Sequence, residues 1–372
     1  MVQFLFKNRR KNLTLFLSAL VICIGFGFLA RPSVAKEKII VDVDLHHFTD
    51  DHEALIMLTN LHKQKKLQLM GVTLVAGNQW INQIENDTLK AVERLGMADE
   101  LPVYKGADRP LLHDQMRFEQ EKLLYGLYYT GAWTVENKIK NPPDGGPEYN
   151  KIGNAHAVDF IINTVRANPG EITIAALGPL TNLALAIRKA PDISAKIKKI
   201  IYMGGAFFVP GNVTGSAEFN WWFDAEAAAI VLNEKIDHII VPLDATDRLL
   251  LDKNHYERMI KNHPDHINTK TFMIPKFGDD FKKDENYNTP VWDALVAAYI
   301  CDPSIVEEEK DLLVGIDYAF GPDYGRSYSY PVAPYNSRPL PIGAQKAKVL
   351  LKMDAEKFWN LFEDLMFYND QR

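Results

Sequence analysis

Cysteine is nearly absent. Only Cys23 and Cys301 occur in 372 residues, and Cys23 falls inside an N-terminal apolar run, so a chain processed after Ala35 keeps Cys301 alone and can form no intramolecular disulfide. The Cys/His spacing of structural zinc sites is missing too. The acid-rich stretch at 42–51 has no glycine at its middle and no glutamate at its end, which excludes the twelve-residue calcium loop of helix–loop–helix proteins. There is no excess of positive charge: 42 Lys+Arg face 48 Asp+Glu, a net charge of −6. Such a chain is a poor candidate for binding nucleic acid or an anionic membrane. No repeat, low-complexity tract or long linker divides it. With 47% hydrophobic and 24% charged residues, it has apolar material for one large core, and that core, alone or with a metal, has to hold the fold.

The first 35 residues differ from the rest. Lys7, Arg9, Arg10 and Lys11 precede an uncharged run from Leu13 to Ala30, and Ser33–Val34–Ala35 offers small residues for cleavage. This order predicts a signal peptide over 1–35 and an exported, periplasmic or extracellular, protein with no membrane contact after cleavage. The apolar run of 18 residues also reaches the low edge of a membrane span, so an uncleaved anchor is the alternative. Removing the five leader cations takes the net charge from −6 to −11.

From residue 36 to 372, short β-branched runs alternate with amphipathic stretches. KIIVDVD, LQLMGVTLVAG, EITIAAL, IKKIIYMGG and IDHIIVPLD read as strands. DDHEALIMLTNLHKQ, INQIENDTLKAVERLG (closed by Gly96), AVDFIINTVRANPG and DAEAAAIVLNE read as helices. The alternation predicts a single α/β domain around a mainly parallel sheet, with ligands beyond the carboxyl ends of the strands. Segments near 105–150 and 264–290 lack clear periodicity and read as lids or binding loops.

The stretch VDVDLHHFTDD, Val41 to Asp51, places Asp42, Asp44, Asp50 and Asp51 at the end of the first strand. Unpaired, these acids would raise one another's pKa values; a hard divalent cation with oxygen ligands removes the conflict. Alternatively, Asp50 caps the next helix and Asp51 sits favourably at its N-terminus.

The sequence resembles the nucleoside hydrolase family, the inosine–uridine-type N-ribohydrolases. DVD and DDHEAL are followed, in the family's order, by GVTLVAGN, PVYKGADRPL, AALGPLTNLALA, YMGGAFFVPGNVTGSAEFNWWFDAEAA and VWDALVAAY. The resemblance covers nearly all of 36–372 and implies a Rossmann-like fold, a calcium ion (Ca2+), a nucleoside substrate and a homodimer or homotetramer. By position it makes Asp44 a metal ligand and general base. Asp51, the backbone carbonyl of Leu177 and Asp293 become the other ligands. Asp50 and Asn78 are placed on the ribose, Asn212, Glu218 and Asn220 on its 5′ side, and Met203 beneath it. Asp42 is left to order the loop. The residue-level alternatives are a turn for Asn212 and Asn78, a solvated strand face for Glu218 and Asn220, and a helix cap for Asp293.

The implied reaction is hydrolysis of an N-glycosidic bond through an oxocarbenium-like transition state. The position before the last metal-binding aspartate is Trp292 rather than the histidine of the inosine–uridine branch. The motif is similar to the purine-preferring branch, which stacks the base between aromatic rings. Phe118 is the expected second ring, with Trp133 and Trp80 behind it, and Tyr287 is placed to close over the base. Trp292 in the core is the other reading. Five residues, LHHFT, separate the acid pairs where three including a glycine are usual in the family; His46 or His47 is expected to take the left-handed backbone a glycine would supply. That loop keeps two further functions open: a hydrolase of the same fold acting on another N-riboside or ribosyl conjugate, and a non-catalytic relative that binds metal or ribose.

Overall fold

The computed structural model describes residues 36–149, 151–332 and 344–369. The signal-peptide and anchor expectations concern residues 1–35, outside the described residues. No helix among the described residues is long and apolar enough to cross a membrane.

Eleven strands occur among the described residues: β1 (Glu37–Val43), β2 (Leu67–Leu74), β3 (Val103–Lys105), β4 (Ile172–Ala176), β5 (Ile197–Met203), β6 (His238–Val241), β7 (Leu250–Asp252), β8 (Asn288–Pro290), β9 (Val306–Ile316), β10 (Ser327–Pro331) and β11 (Gln345–Met353). Nine form one sheet in the order β10-β9-β11-β6-β5-β4-β1-β2-β3; β7 and β8 form a separate ribbon. Seven neighbours from β11 to β3 run parallel, and β9 and β10 add an antiparallel edge. The central strands are buried on both faces, hence their unbroken Ile/Val/Ala composition in place of polar alternation. Burying each such Ile or Val contributes about 1.5–3 kcal/mol.

The first helices are α1 (Asp50–Lys63), α2 (Ile81–Arg94), α3 (Gln115–Tyr125), α4 (Ala157–Ala167), α5 (Thr181–Lys189) and α6 (Phe219–Phe223). They are followed by α7 (Ala225–Leu232), α8 (Leu243–Thr246), α9 (Lys253–Asn262), α10 (Ile274–Lys283), α11 (Trp292–Cys301) and α12 (Ala355–Met366). The predicted α/β domain is the one observed. Gly96 closes α2 with φ +66°, while Met97 N–H reaches back to Val92 O at 3.0 Å. The 264–290 segment is not a loop: a π-helical turn, Thr269–Met273, runs into α10, whose Phe277 and Phe281 are buried. Its periodicity is masked because the π-turn shifts the helical phase.

From β1 the chain moves to β2 and β3 on one side, then returns to β4 and moves to β5 and β6 on the other. The sheet order therefore reverses between β1 and β4, where an open α/β sheet leaves a crevice beyond its strand ends.

Candidate active site at the strand ends

β1 and β4 end side by side. Asp42 pairs with Ala176 in register, and Leu177 N–H donates to Asp42 O at 2.8 Å. Asp42 is buried beneath the crevice, where Thr73 Oγ1 (2.5 Å) and Asn182 Nδ2 (2.8 Å) donate to its Oδ1. Asn182 also binds Leu74 O and Ala107 N–H. Asp42 thus cross-links β1, β2 and the start of α5, a loop-ordering position. Burial raises its carboxyl to about 7 despite these two bonds.

Two residues on, Asp44 turns into the crevice. Asn78 N–H donates to its Oδ2 at 2.7 Å, and its own N–H donates to Asp51 Oδ1 at 3.2 Å. Glycines make room for it. A Cβ on Gly77 would strike Asp44 Oδ2, and one on Gly178 would lie 2.9 Å from Asp44 Oδ1. Helix α1 begins after Thr49, which has extended backbone and no side-chain bond to the helix N–H groups; its hydroxyl donates to His46 O at 2.7 Å and to Asp51 at 3.3 Å. Asp50 is therefore a residue of the first turn and not its cap. Asp293 likewise lies inside the first turn of α11, after Val291 at the cap. The two helices pack together and aim their N-termini at the crevice, where their dipoles favour negative charge.

Asp50, Asp51 and Asp293 bring carboxylate oxygens within 4.8 Å of one another. Burial raises Asp44, Asp51 and Asp293 well above the carboxylate range. The charges of Asp50, Asp51, Asp44 and Glu218 push Asp293 further in the same direction. Asp50 is raised less, because Lys276 and the Asp293 N–H oppose burial. Asp44 Oδ1 and Asp293 Oδ1 are buried and have no hydrogen-bond partner. Unpartnered buried oxygens on mutually repelling acids fit a hard divalent cation, which neutralises the charge and takes the lone pairs.

The other side of the crevice is built by the segment after β5. Glu218 is buried and accepts from Gly205 N–H (2.9 Å), Asn220 N–H (2.7 Å) and Trp221 N–H (3.1 Å), so it caps α6 from below the crevice. Burial nevertheless lifts its carboxyl to about 7. Asn220 is buried and donates from Nδ2 to Leu177 O (2.8 Å) and Met203 O (3.2 Å), tying the ends of β4 and β5 together. The solvated-face reading of Glu218 and Asn220 is thereby excluded. Asn212 is a turn residue whose Oδ1 accepts from Phe219 N–H at 2.9 Å. Asn78 links the halves, donating to Asp51 Oδ2 from Nδ2 at 3.2 Å.

The expected aromatic partners need correction. Phe118 is buried and stacks on buried Trp133 (5.7 Å, 14°), so these two rings are core, and half-buried Trp80 meets Trp133 edge-on at its margin. Tyr287 packs against Phe281. The ring that reaches the acids from this irregular segment is Tyr129, whose hydroxyl donates to Asn78 Oδ1 at 2.8 Å. Burial and the charges of Asp44, Asp50 and Asp51 raise its pKa. Its one sequence signal is a Tyr-Tyr pair between Gly126 and Gly131. Trp292 is half-buried, with Nε1 unpartnered. Lys276 was also unanticipated; it pairs with buried Glu53 at 2.7 Å from a helix 223 residues away.

The loop between the acid pairs takes its left-handed residue at Phe48 (φ +65°), not at either histidine. Both histidines turn to Asp87 on α2: His46 Nδ1 lies 2.7 Å and His47 N–H 3.2 Å from Oδ2. Burial works to raise Asp87, but the hydrogen bonds from His46, His47 and Gln83 hold it well below the carboxylate range. Gln83 also clasps the backbone of Lys140, donating to its O (2.8 Å) and accepting from its N–H (2.6 Å).

Comparison with known proteins matches these features over nearly the whole described chain. The family described as inosine-uridine preferring nucleoside hydrolase matches residues 39–360. The chain is 31% identical over 333 residues to a pyrimidine-specific ribonucleoside hydrolase, RihB, of Escherichia coli, covering 88% of this chain and 96% of that one. A plant nucleoside hydrolase structure aligns with TM-score 0.72 at 25% identity, over 90% of this chain and 99% of the other. A purine-preferring ribonucleoside hydrolase from Gardnerella vaginalis aligns with TM-score 0.67 at 25% identity, over 89% and 98%.

Proposed function

Since the chain belongs to the inosine-uridine preferring nucleoside hydrolase family, we propose that it is a calcium-dependent hydrolase that splits purine ribonucleosides into free base and ribose. N-glycosyl hydrolysis is the family's activity; the purine preference and the calcium ion are the finer parts of the proposal. The observation that carries it is the set of buried, unpartnered carboxylate oxygens of Asp44 and Asp293 beside Asp50 and Asp51.

Asp44, Asp51, Asp293 and the Leu177 carbonyl would hold the ion. The chemistry a bound calcium supplies is charge to orient the ribose hydroxyls and to make a water more acidic. Asp44 accepts the water's proton, and the bond from Asn78 N–H to its Oδ2 holds the carboxylate in place. Asp50 and Asn78, both half-buried at the mouth, bind ribose hydroxyls. Asn212, Glu218 and Asn220 position the 5′ side over Met203. As the bond breaks, positive charge grows on the sugar, and the surrounding acids stabilise it.

Relatives include both a pyrimidine-specific and a purine-preferring enzyme, so the base must be read from this chain's own residues. Trp292 stands directly before Asp293, and Tyr129 reaches the acids from the opposite loop. Two aromatic side chains favour the larger purine face. An indole cannot serve as the acid for the leaving base. We further propose export, with removal of residues 1–35, and assembly into a homo-oligomer.

Ribose release from inosine, adenosine, guanosine and uridine, with and without a chelator, tests this reading. Faster turnover of the purines, lost on chelation and restored by calcium, is expected. A uridine preference overturns the base assignment, and chelator-resistant turnover overturns the metal.

A further inference from the structure

Among the described residues, one other group of potential ligands comes together within 4.8 Å: His46, His47 and Asp87. It is chemically unlike the acid cluster. Two imidazole nitrogens and one carboxylate oxygen form a borderline donor set that suits zinc and similar divalent transition ions, whereas calcium requires six to eight oxygens.

The carboxylate is prepared for such a role. Asp87's side chain is fully buried. Gln83 Nε2 (2.8 Å) and Asn86 Nδ2 (3.3 Å) donate to Oδ1, which leaves Oδ2 facing the histidines. Outer hydrogen bonds of this kind orient ligating carboxylates in metal sites. His46 Nδ1 lies 2.7 Å from Oδ2 and His47 Nδ1 3.7 Å from it. His47 Nδ1 is buried and makes no hydrogen bond. Around a tetrahedral ion with ligand bonds near 2.0–2.1 Å, donor atoms sit about 3.4 Å apart. The two separations straddle that value, so each ring needs to shift by less than about 1 Å. The side chains of His46 and His47 are 29% and 19% exposed, which gives an ion a path in. Three protein ligands leave a fourth position for water.

We propose that His46, His47 and Asp87 form a second metal site, of zinc type, that clamps the loop between the two aspartate pairs onto α2. The loop lacks the glycine of a tight turn and bends at Phe48 instead. The clamp fastens its first half to α2 while Asp44, Asp50 and Asp51 continue from its two ends. The site stands independently of the calcium centre and of the nucleoside assignment.

The test is a titration of the full chain, held in saturating calcium, with zinc by isothermal calorimetry. One zinc per chain is expected, with a rise in the thermal midpoint. His47→Ala removes a ring whose Nδ1 makes no hydrogen bond and which packs edge-on against His46 and Phe48; it should weaken zinc binding on the order of 100-fold, losing more than a supporting contact would, and abolish the thermal shift. Equal zinc binding by the variant and the wild type, or no zinc bound by the wild type, overturns the proposal. Cobalt substitution of the wild type keeps the question decidable should the variant not fold. Intense visible absorption of tetrahedral, nitrogen-ligated cobalt supports the site; the weak spectrum of a six-coordinate oxygen site refutes it.

Discussion

Gly77→Ala tests how Asp44 is held, and it does so cleanly because the backbone at Gly77 is not in the left-handed region. The added methyl would strike Asp44 Oδ2 and lie 2.8 Å from Pro179 Cδ. Pro179 is a ring fixed between Gly178 and buried Leu180, so the carboxylate is the group that gives way. In moving it loses the 2.7 Å bond from Asn78 N–H, a bond to a charged acceptor worth about 1.5–3 kcal/mol. Against this, replacing glycine with alanine contributes about 0.4–1 kcal/mol through the unfolded chain. The net expectation is a stability loss of about 1–2 kcal/mol, read as a lower urea midpoint. Activity should suffer more, because displacing a reacting group by about 1 Å costs on the order of 100-fold. Gly178→Ala, with a 2.9 Å approach to Oδ1, should show the same defect in milder form. A Gly77→Ala protein with wild-type ribose release and raised stability would refute the picture of Asp44 wedged between two glycines.

Three further outcomes are expected. Burial raises the Asp224 carboxyl to about 6, against hydrogen bonds from Thr181, Ala227 and Leu111; the folded state holds its proton more tightly than the unfolded one, so its stabilising contribution is full below pH ~4 and declines up to pH ~6. Denaturant unfolding should therefore show wild type losing on the order of 3 kcal/mol relative to Asp224→Asn across that window, and parallel pH profiles would contradict it. At Phe48 the usual ranking should invert, with Phe48→Gly more stable than Phe48→Ala by about 1 kcal/mol, since both lose the ring but only alanine keeps the left-handed strain; equal midpoints would argue against strain there. Tyr129→Phe removes the bond to Asn78 and should lower kcat/KM roughly 3–10-fold, the value of one hydrogen bond, whereas unchanged kinetics would separate Tyr129 from the site.

The sheet and the acid cluster were legible because both are written locally. Apolar runs such as KIIVDVD mark buried strands, and a strand-end position is enough to place Asp44 and Leu177 on one rim. Asp293 became legible only through its motif, since nothing in its neighbourhood separates a ligand from a first-turn acid. What stayed hidden depends on long-range pairing. Asp87 reads as an ordinary polar residue of an amphipathic helix, yet it anchors His46 from 41 residues away. Phe118 and Tyr129 are both aromatics in an irregular segment. Their fates diverge because α3 turns Phe118 onto Trp133, while Gly131, with φ +52°, lets the following chain lie against Gly77 O. The left-handed turn fell to Phe48 because the two histidines were already committed to Asp87.

The clasp of Gln83 on Lys140 has a consequence for how this enzyme can vary. A primary amide that donates to the C=O and accepts from the N–H of one residue imitates a neighbouring strand, and at Lys140 it reads main chain alone. The path of the chain at residue 140 is thus set by a contact indifferent to the side chain there, whereas Arg94 on the same helix holds the side chain of Asp144. The side chain at position 140 is free to drift, and the loop can be retuned there toward new surroundings without loosening its hold on α2.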